Sequence, residues 1–226
     1  MRLYTSRNSP FSARIEIALR AKSISIETMP LPAGGLRSPE FRALNPLAKI
    51  PVLAIDDGQA LPESTVILRY LEDLFPEPSL LPADAADRAR VNALVAVVDT
   101  YVMAPVIRLF PQLTPSTRDT RVVETEVARW KDGMAVLAHW LLSPLPAVHA
   151  PASFADCVIA PSLHLSRRIS LMLGLGQDPA DAYPSIVDYR TALKAHSIVG
   201  PVLDELTVAQ EQYDTAAGRA SLAHLH

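Results

Sequence analysis

Ile50-Pro51-Val52-Leu53, followed closely by Leu61-Pro62-Glu63-Ser64, is the stretch on which the reading of this fold turns. Pro51 has no N–H to give to a sheet ladder, so it belongs at the start or the edge of a strand. An X–Pro bond is also where a cis peptide costs least. A cis bond before Pro51 bends the chain and leaves the N–H and C=O of its neighbours free for an extended peptide. Glu63-Ser64 stands where a helix should begin and offers N–H groups and a hydroxyl to a carboxylate. Together the two segments read as a site for a small charged peptide.

Working outward, residues 2–75 alternate between two periodicities. Arg2 to Thr5 is a short strand. Pro10 to Ala21 is a helix with Phe11, Ile15, Ala18 and Leu19 on one face. Ser23 to Met29 alternates as a second strand, and the prolines and paired glycines of residues 30–35 mark a loop. Ser38-Pro39-Glu40 opens a short helix, with serine as cap and proline in the first helical position. Strands follow at Val52 to Ile55 and Gln59 to Leu61, joined by an Asp57-Gly58 turn. Glu63 to Phe75 is a closing helix with Val66, Ile67, Tyr70, Leu71 and Leu74 on its apolar face. The order βαβαββα predicts a small α/β sandwich.

Pro76 to Pro82 reads as a stiff, proline-rich linker, and the composition changes after it. From Asp87 onward the patterns are all helical: Asp87 to Phe110, bent at Pro105; Ser116 to Leu142, burying Val123, Val127, Trp130, Met134, Leu137 and Leu141; Ser153 to Leu173; Pro184 to Ala195; and Gly200 to Leu206. The last twenty residues are small and polar, and are expected to be frayed or loosely docked. The expected division is residues 1–76, a linker over 77–86, and an all-α domain over 87–226.

The chain has 226 residues, 49% of them hydrophobic, enough for one large core or two smaller ones. A net charge of −3 gives no electrostatic footprint for nucleic acid or an anionic membrane. The single cysteine, Cys157, excludes an intramolecular disulfide and has apolar neighbours, so it reads as a small buried hydrophobe. The six histidines are scattered without ligand spacing, which argues against a metal site. No uncharged apolar run reads as long enough to span a bilayer. The first residues lack the apolar core of a secretion signal. A soluble, cytoplasmic protein is expected.

Several motifs then converge on one family. Ser9-Pro10-Phe11-Ser12 stands at the first strand-to-helix junction, where the thioredoxin and glutaredoxin superfamily carries a C-P-Y-C-like motif. Asn45-Pro46-Leu47-Ala48-Lys49-Ile50-Pro51-Val52-Leu53 resembles an N-P-x-G-K-[VI]-P-x-L segment, with Ala48 in place of the usual glycine. Leu61 to Leu71 resembles an L-x-E-S-x-x-I-x-x-Y-L helix. Ser153-Phe154-Ala155-Asp156 resembles the cap that opens a core helix. In this order they resemble the glutathione transferases: a thioredoxin-like domain followed by an all-α domain.

The resemblance implies activation of the glutathione thiol. A free thiol has a pKa of roughly 8.5, and a hydroxyl hydrogen bond and a helix N-terminus both favour the anion. Ser9 is the first candidate for that hydroxyl, although serine in this position also serves simply as a cap. Ser12 and Tyr4 are the alternatives. Glu63 and Ser64 would meet the γ-glutamyl end, Ile50, presented by Pro51, the cysteinyl backbone, and Lys49 the glycine carboxylate. No cysteine occupies the Ser9 or Ser12 position, which disfavours thiol–disulfide exchange. Ser153 and Asp156 would form a structural capping box. Phe11, Tyr101, Met103 and Arg108 are candidates to line the electrophile pocket. The resemblance implies glutathione as co-substrate, no metal, and a homodimer. A non-enzymatic binding module of the same fold, or a glutathione-dependent isomerase, remains the alternative.

Overall fold

The computed structural model describes residues 1–56 and 58–215. Asp57 of the expected Asp57-Gly58 turn lies outside the described residues, as do residues 216–226 of the expected loose terminus. Strands β1 (Arg2–Tyr4), β2 (Glu27–Met29), β3 (Val52–Ala54) and β4 (Ala60–Pro62) form one sheet in the order β2-β1-β3-β4. β1 runs parallel to β2 and antiparallel to β3, and β3 and β4 form the hairpin, with Val52 opposite Pro62. Helices α1 (Pro10–Ala21), α2 (Pro39–Leu44) and α3 (Ser64–Leu74) complete the βαβαββα order.

Two expectations need correction here. The second strand is shorter than Ser23 to Met29. Ser23 adopts φ 54°, and the Ile24 N–H returns to the Leu19 carbonyl, so this segment closes α1 before the sheet begins. On α3 the buried face is Ile67, Leu68, Leu71 and Glu72, whereas Val66 and Leu74 are exposed. Glu72 is buried because it accepts from the Leu80 and Leu81 N–H groups and from Lys22 Nζ, bolting the proline-rich segment to α1 and α3.

The rest of the described chain is helical: α4 (Ala85–Val97), α5 (Ala104–Arg108), α6 (Thr120–Trp140), α7 (Phe154–Leu173), α8 (Pro184–Ala195) and α9 (Val199–Tyr213). α4 and α5 are joined by a π-helical stretch over Val98–Met103. The irregularity expected at Pro105 therefore lies just before it. Proline withholds the N–H that the carbonyl four residues back would accept, and a wider turn lets the ring clear that carbonyl. The freed Tyr101 carbonyl lies against Gly133 of α6, where an added Cβ would stand 2.0 Å from its oxygen. By length and composition the run Ala85–Leu113 could cross a membrane, yet Val91, Leu94, Val98, Val102, Val106 and Leu109 are all buried in the core.

α7 is the central helix and packs along α1. Its start is the expected capping box: Ser153 Oγ accepts from the Asp156 N–H at 3.1 Å, and Asp156 Oδ2 accepts from the Ser153 N–H at 2.8 Å. Asp156 also accepts from the Tyr189 hydroxyl of α8, whose phenol burial pushes well above its ordinary pKa. Asp156→Ala therefore removes a cap and orphans a buried donor. The expected cost is about 1–3 kcal/mol, read as a fall in Tm of roughly 3–10 °C. Activity per folded molecule, measured well below Tm, should not change. The last helix is longer than the expected Gly200 to Leu206 and reaches Tyr213, because Leu206 and Gln210 are both buried.

Candidate functional site

A cavity of about 480 Å³ opens where the sheet's β3 end meets α1, α3, α5 and the segment after α5. Ser64 and Glu63 form one wall. Glu63 takes φ 67°, ψ 116°, a sparsely populated backbone for a non-glycine residue, and caps α3 without a side-chain hydrogen bond. Such strain is held in place only by its surroundings and clusters at ligand sites. With no side chain over it, the first turn of α3 presents N–H groups to the cavity, an arrangement suited to a carboxylate. Ser64 Oγ accepts from the Arg14 guanidinium at 3.3 Å, so its own hydrogen remains free to donate outward.

The facing wall is the loop over residues 45–51. Buried Asn45 shapes it: its amide donates to the Lys49 carbonyl at 2.8 Å, and its oxygen accepts from the Leu47 N–H at 3.0 Å. Ala48 sits at φ 54°, in the left-handed region that glycine favours. Ala48→Gly should therefore stabilise the fold by about 0.5–1 kcal/mol, measurable as a small rise in the denaturant midpoint. The Ile50–Pro51 bond is cis. The ladder begins only at Val52, and the backbone N–H and C=O of Ile50 have no partner among the described residues. Lys49, Arg37 and Arg42 also line the cavity and are unpaired among the described residues; Glu63 is its one acid.

Ser9 precedes α1 and caps it, its Oγ accepting from the Ser12 N–H at 3.3 Å. Capping uses a lone pair and leaves the hydroxyl hydrogen free, so the cap does not compete with donation to a sulfur. Ser9 is half-buried, two residues from Phe11, which lines the cavity. Ser12 is buried, and its Oγ accepts from the Ser6 N–H at 3.4 Å. Tyr4 is half-buried in β1, its ring edge-on to Phe41 at 6.1 Å. None of Ser9, Ser12 and Tyr4 is itself among the residues lining the cavity.

Of the expected site residues, the structure brings Phe11, Lys49, Ile50, Pro51, Glu63 and Ser64 to one cavity. Tyr101, Met103 and Arg108 are not in its walls. Tyr101 faces outward, Met103 is buried in the core, and Arg108 pairs with Glu126 of α6 at 2.7 Å. Ile107 and Phe110 take their place. The π-helical stretch explains the exchange, since its wider turns rotate everything downstream out of the phase that an ideal helix predicts. Leu36, Arg37 and Arg42 were also missed; nothing in their local pattern points to a ligand. Cys157 is fully buried, and burial raises its thiol well above the ordinary range, so it is no nucleophile here. No group of metal-ligating side chains occurs among the described residues.

Comparison with known proteins adds to this geometry. The family described as glutathione S-transferase, N-terminal domain, matches residues 3–79, which contain most of the cavity. The maleylacetoacetate isomerase of Pseudomonas aeruginosa is 30% identical over 215 residues, spanning 87% of this chain and 92% of that one. The holo structure of a maleylpyruvate isomerase, described as a bacterial zeta-class glutathione S-transferase, superposes with a TM-score of 0.71 at 27% identity, covering 89% of this chain and 96% of that one. A glutathione S-transferase from Rhodospirillum rubrum superposes with a TM-score of 0.68 at 26% identity, covering 89% and 90%. Similarity of that extent runs through both the sheet and the helices, and the chain belongs to the glutathione S-transferase family.

Proposed function

We propose that the protein is a glutathione transferase that binds the tripeptide along residues 49–64 and activates its thiol at Ser9. One observation carries this reading: the unpaired backbone of Ile50 and the uncapped N-terminus of α3 flank a single cavity. An extended peptide can pair with Ile50 as an added strand while its terminal carboxylate meets Ser64. Glu63 then faces the ammonium of the γ-glutamyl group, and Lys49 the glycine carboxylate. The thiolate attacks an electrophile held against Phe11, Ile107 and Phe110, forming a thioether as the leaving group departs. Residues 1–76 form the glutathione-binding domain and 87–226 the helical domain, with 77–86 between them. The apolar exposure of Val66 and Leu74 on α3 supports a homodimer through that face. A cytoplasmic setting and a role in detoxification fit this chemistry.

Glutathione at about a hundred times its dissociation constant should stabilise the fold by about 2.7 kcal/mol, raising Tm by roughly 5–10 °C. No shift, together with no turnover of a generic aryl halide, would leave a binding module of this fold without the activity.

A second reading has its own support. The unpaired Arg37, Arg42 and Lys49 give the cavity an excess of positive charge, which suits a dicarboxylate beside glutathione. Two of the relatives above are named as isomerases of maleyl compounds. On such a substrate the same thiolate adds to the cis double bond, the new single bond rotates, and the thiolate is expelled, leaving the trans isomer and regenerated glutathione. Parallel assays with an aryl halide and with maleylpyruvate distinguish the two.

A further inference from the structure

The loop between β1 and α1 carries Ser9, and most of what holds it is local. The Ser9 N–H donates to the Ser6 carbonyl at 3.1 Å, the Ser6 hydroxyl donates to Asn8 Oδ1 at 2.6 Å, and the Ser6 N–H reaches Ser12 Oγ at 3.4 Å. Among the described residues, one hydrogen bond reaches residues 6–9 from beyond α1, and it comes from α9. Gln210 Nε2 donates to the Asn8 carbonyl at 3.2 Å.

Asn8 and Ser9 share a peptide plane, which is rigid. Its C=O is held by Gln210 and its N–H by the Ser6 carbonyl, so both polar ends of the plane are fixed. Rotation of that plane would swing the Ser9 side chain. The cap on α1 resists such a swing only weakly, since its Ser12 N–H to Ser9 Oγ distance of 3.3 Å is long for a hydrogen bond.

Gln210 is itself well placed to hold the loop. The buried residues of α9 are Val199, Gly200, Val202, Leu203, Leu206 and Gln210, and glutamine is the one polar side chain among them. A buried amide costs free energy unless its hydrogen bonds are made. Here both ends are used: with the amide nitrogen turned to Asn8, Oε1 accepts from His164 Nε2 of α7 at 3.0 Å. Burial chiefly, and then the charges of Arg168, Lys194 and Arg167, hold the His164 imidazole below its ordinary pKa. The ring is therefore neutral at neutral pH, with its hydrogen on Nε2. α9 packs on α1 and α7, and Glu205 ties it to α1 by a two-point contact with Arg20 at 2.9 and 2.7 Å.

Granted that Ser9 activates the thiol, we infer that Gln210 is a positioning residue for that step: by holding the Asn8–Ser9 peptide plane it aims the Ser9 hydroxyl at the sulfur of glutathione. A hydroxyl stabilises a thiolate only over a narrow range of directions, so a small error of aim forfeits much of the effect. Gln210 is not in the wall of the glutathione cavity, so it acts on the thiol and not on the grip of the tripeptide.

The test is the pH dependence of kcat at saturating glutathione, with the thiolate absorbance of the binary complex as a second readout. Gln210→Leu should move the acid limb upward by about 0.5–1 pH unit, a three- to tenfold loss on the acid side that vanishes above the thiol pKa. Glutathione affinity by calorimetry, at a pH where the bound thiol is protonated, should change less than about twofold. Gln210→Met, unbranched like glutamine, should give the same shift, and it replaces the leucine variant should that fail to fold. Asp156→Ala, which loosens the start of α7, should lower Tm and leave the limb in place. In the Ser9→Gly background Gln210→Leu should add nothing to the shift, since no hydroxyl remains to aim. A full additional shift there overturns the inference, as does a loss of affinity with the limb unmoved. A limb that Ser9→Gly moves and Gln210→Leu does not overturns the role of Gln210 alone. A limb that neither moves removes Ser9 from thiol activation, and Gln210 with it.

Discussion

Ser9→Gly is expected to move the acid limb of the pH–rate profile for glutathione conjugation upward by about 1–2 pH units. The size follows from one hydrogen bond to a charged acceptor, about 1.5–3 kcal/mol, at 1.36 kcal/mol per unit of pKa. The sign follows from which form is stabilised: the hydroxyl favours the thiolate, so losing it raises the thiol pKa toward roughly 8.5. The deficit is therefore about 10–100-fold on the acid side and shrinks toward nothing once pH exceeds the pKa of both proteins. Glycine is the informative replacement because it costs only a few tenths of a kcal/mol as a cap, whereas alanine costs about 1. The thiolate absorbance of the binary complex reads the same shift without turnover. Ser12→Ala and Tyr4→Phe should leave the limb in place, because the Ser12 hydroxyl is buried beside the Ser6 N–H and the Tyr4 ring packs edge-on to Phe41. If Ser9 only caps α1, Ser9→Ala will lower Tm and the rate ratio will be flat in pH.

What the sequence discloses, and what it withholds, divides along the reach of each signal. Ser38-Pro39, Ser9-Pro10 and the Ser153-Asp156 box are local chemistry, complete within four residues, and each starts a helix as read. Ile50, Pro51, Glu63 and Ser64 are legible for the same reason, since each sits at the junction of a strand or helix. Ser23 to Ile26 misleads because its alternation is real, with Ile24 and Ile26 against the core, while the backbone there is spent closing α1. Tyr101 and Met103 mislead because a helical stripe is counted from an ideal turn, and the turns over Val98–Met103 are not ideal. The strain at Glu63 is a backbone property with no compositional signature. Gln210 is 202 residues from its partner Asn8, and no periodicity connects them.

The group most remote from sequence reading is also the one on which stability should depend most. Arg14 of α1, 1% exposed, meets Asp99 at 2.8 Å, Ser64 of α3 at 3.3 Å, Ser162 of α7 at 2.8 Å and the face of Phe11 at 4.7 Å. Burial pushes its pKa down, and the charge of Asp99 opposes this. Asp99 is 33% exposed, so the two partners are unequal. Asp99→Ala strands a fully buried guanidinium and should cost about 3–5 kcal/mol, a fall in Tm of about 10 °C or more. Arg14→Met fills the same volume with an apolar chain and leaves Asp99 with one buried oxygen short of a partner, so it should cost about 1–3 kcal/mol. The double variant should be more stable than Asp99→Ala alone, because the stranded charge is gone. Arg14→Met should also weaken glutathione binding about tenfold, measured by calorimetry below Tm, since Ser64 loses the cation behind its hydroxyl. Additive losses in the double variant would show that Arg14 and Asp99 act independently. Unchanged glutathione affinity in Arg14→Met would show that Ser64 holds its place without the buried charge.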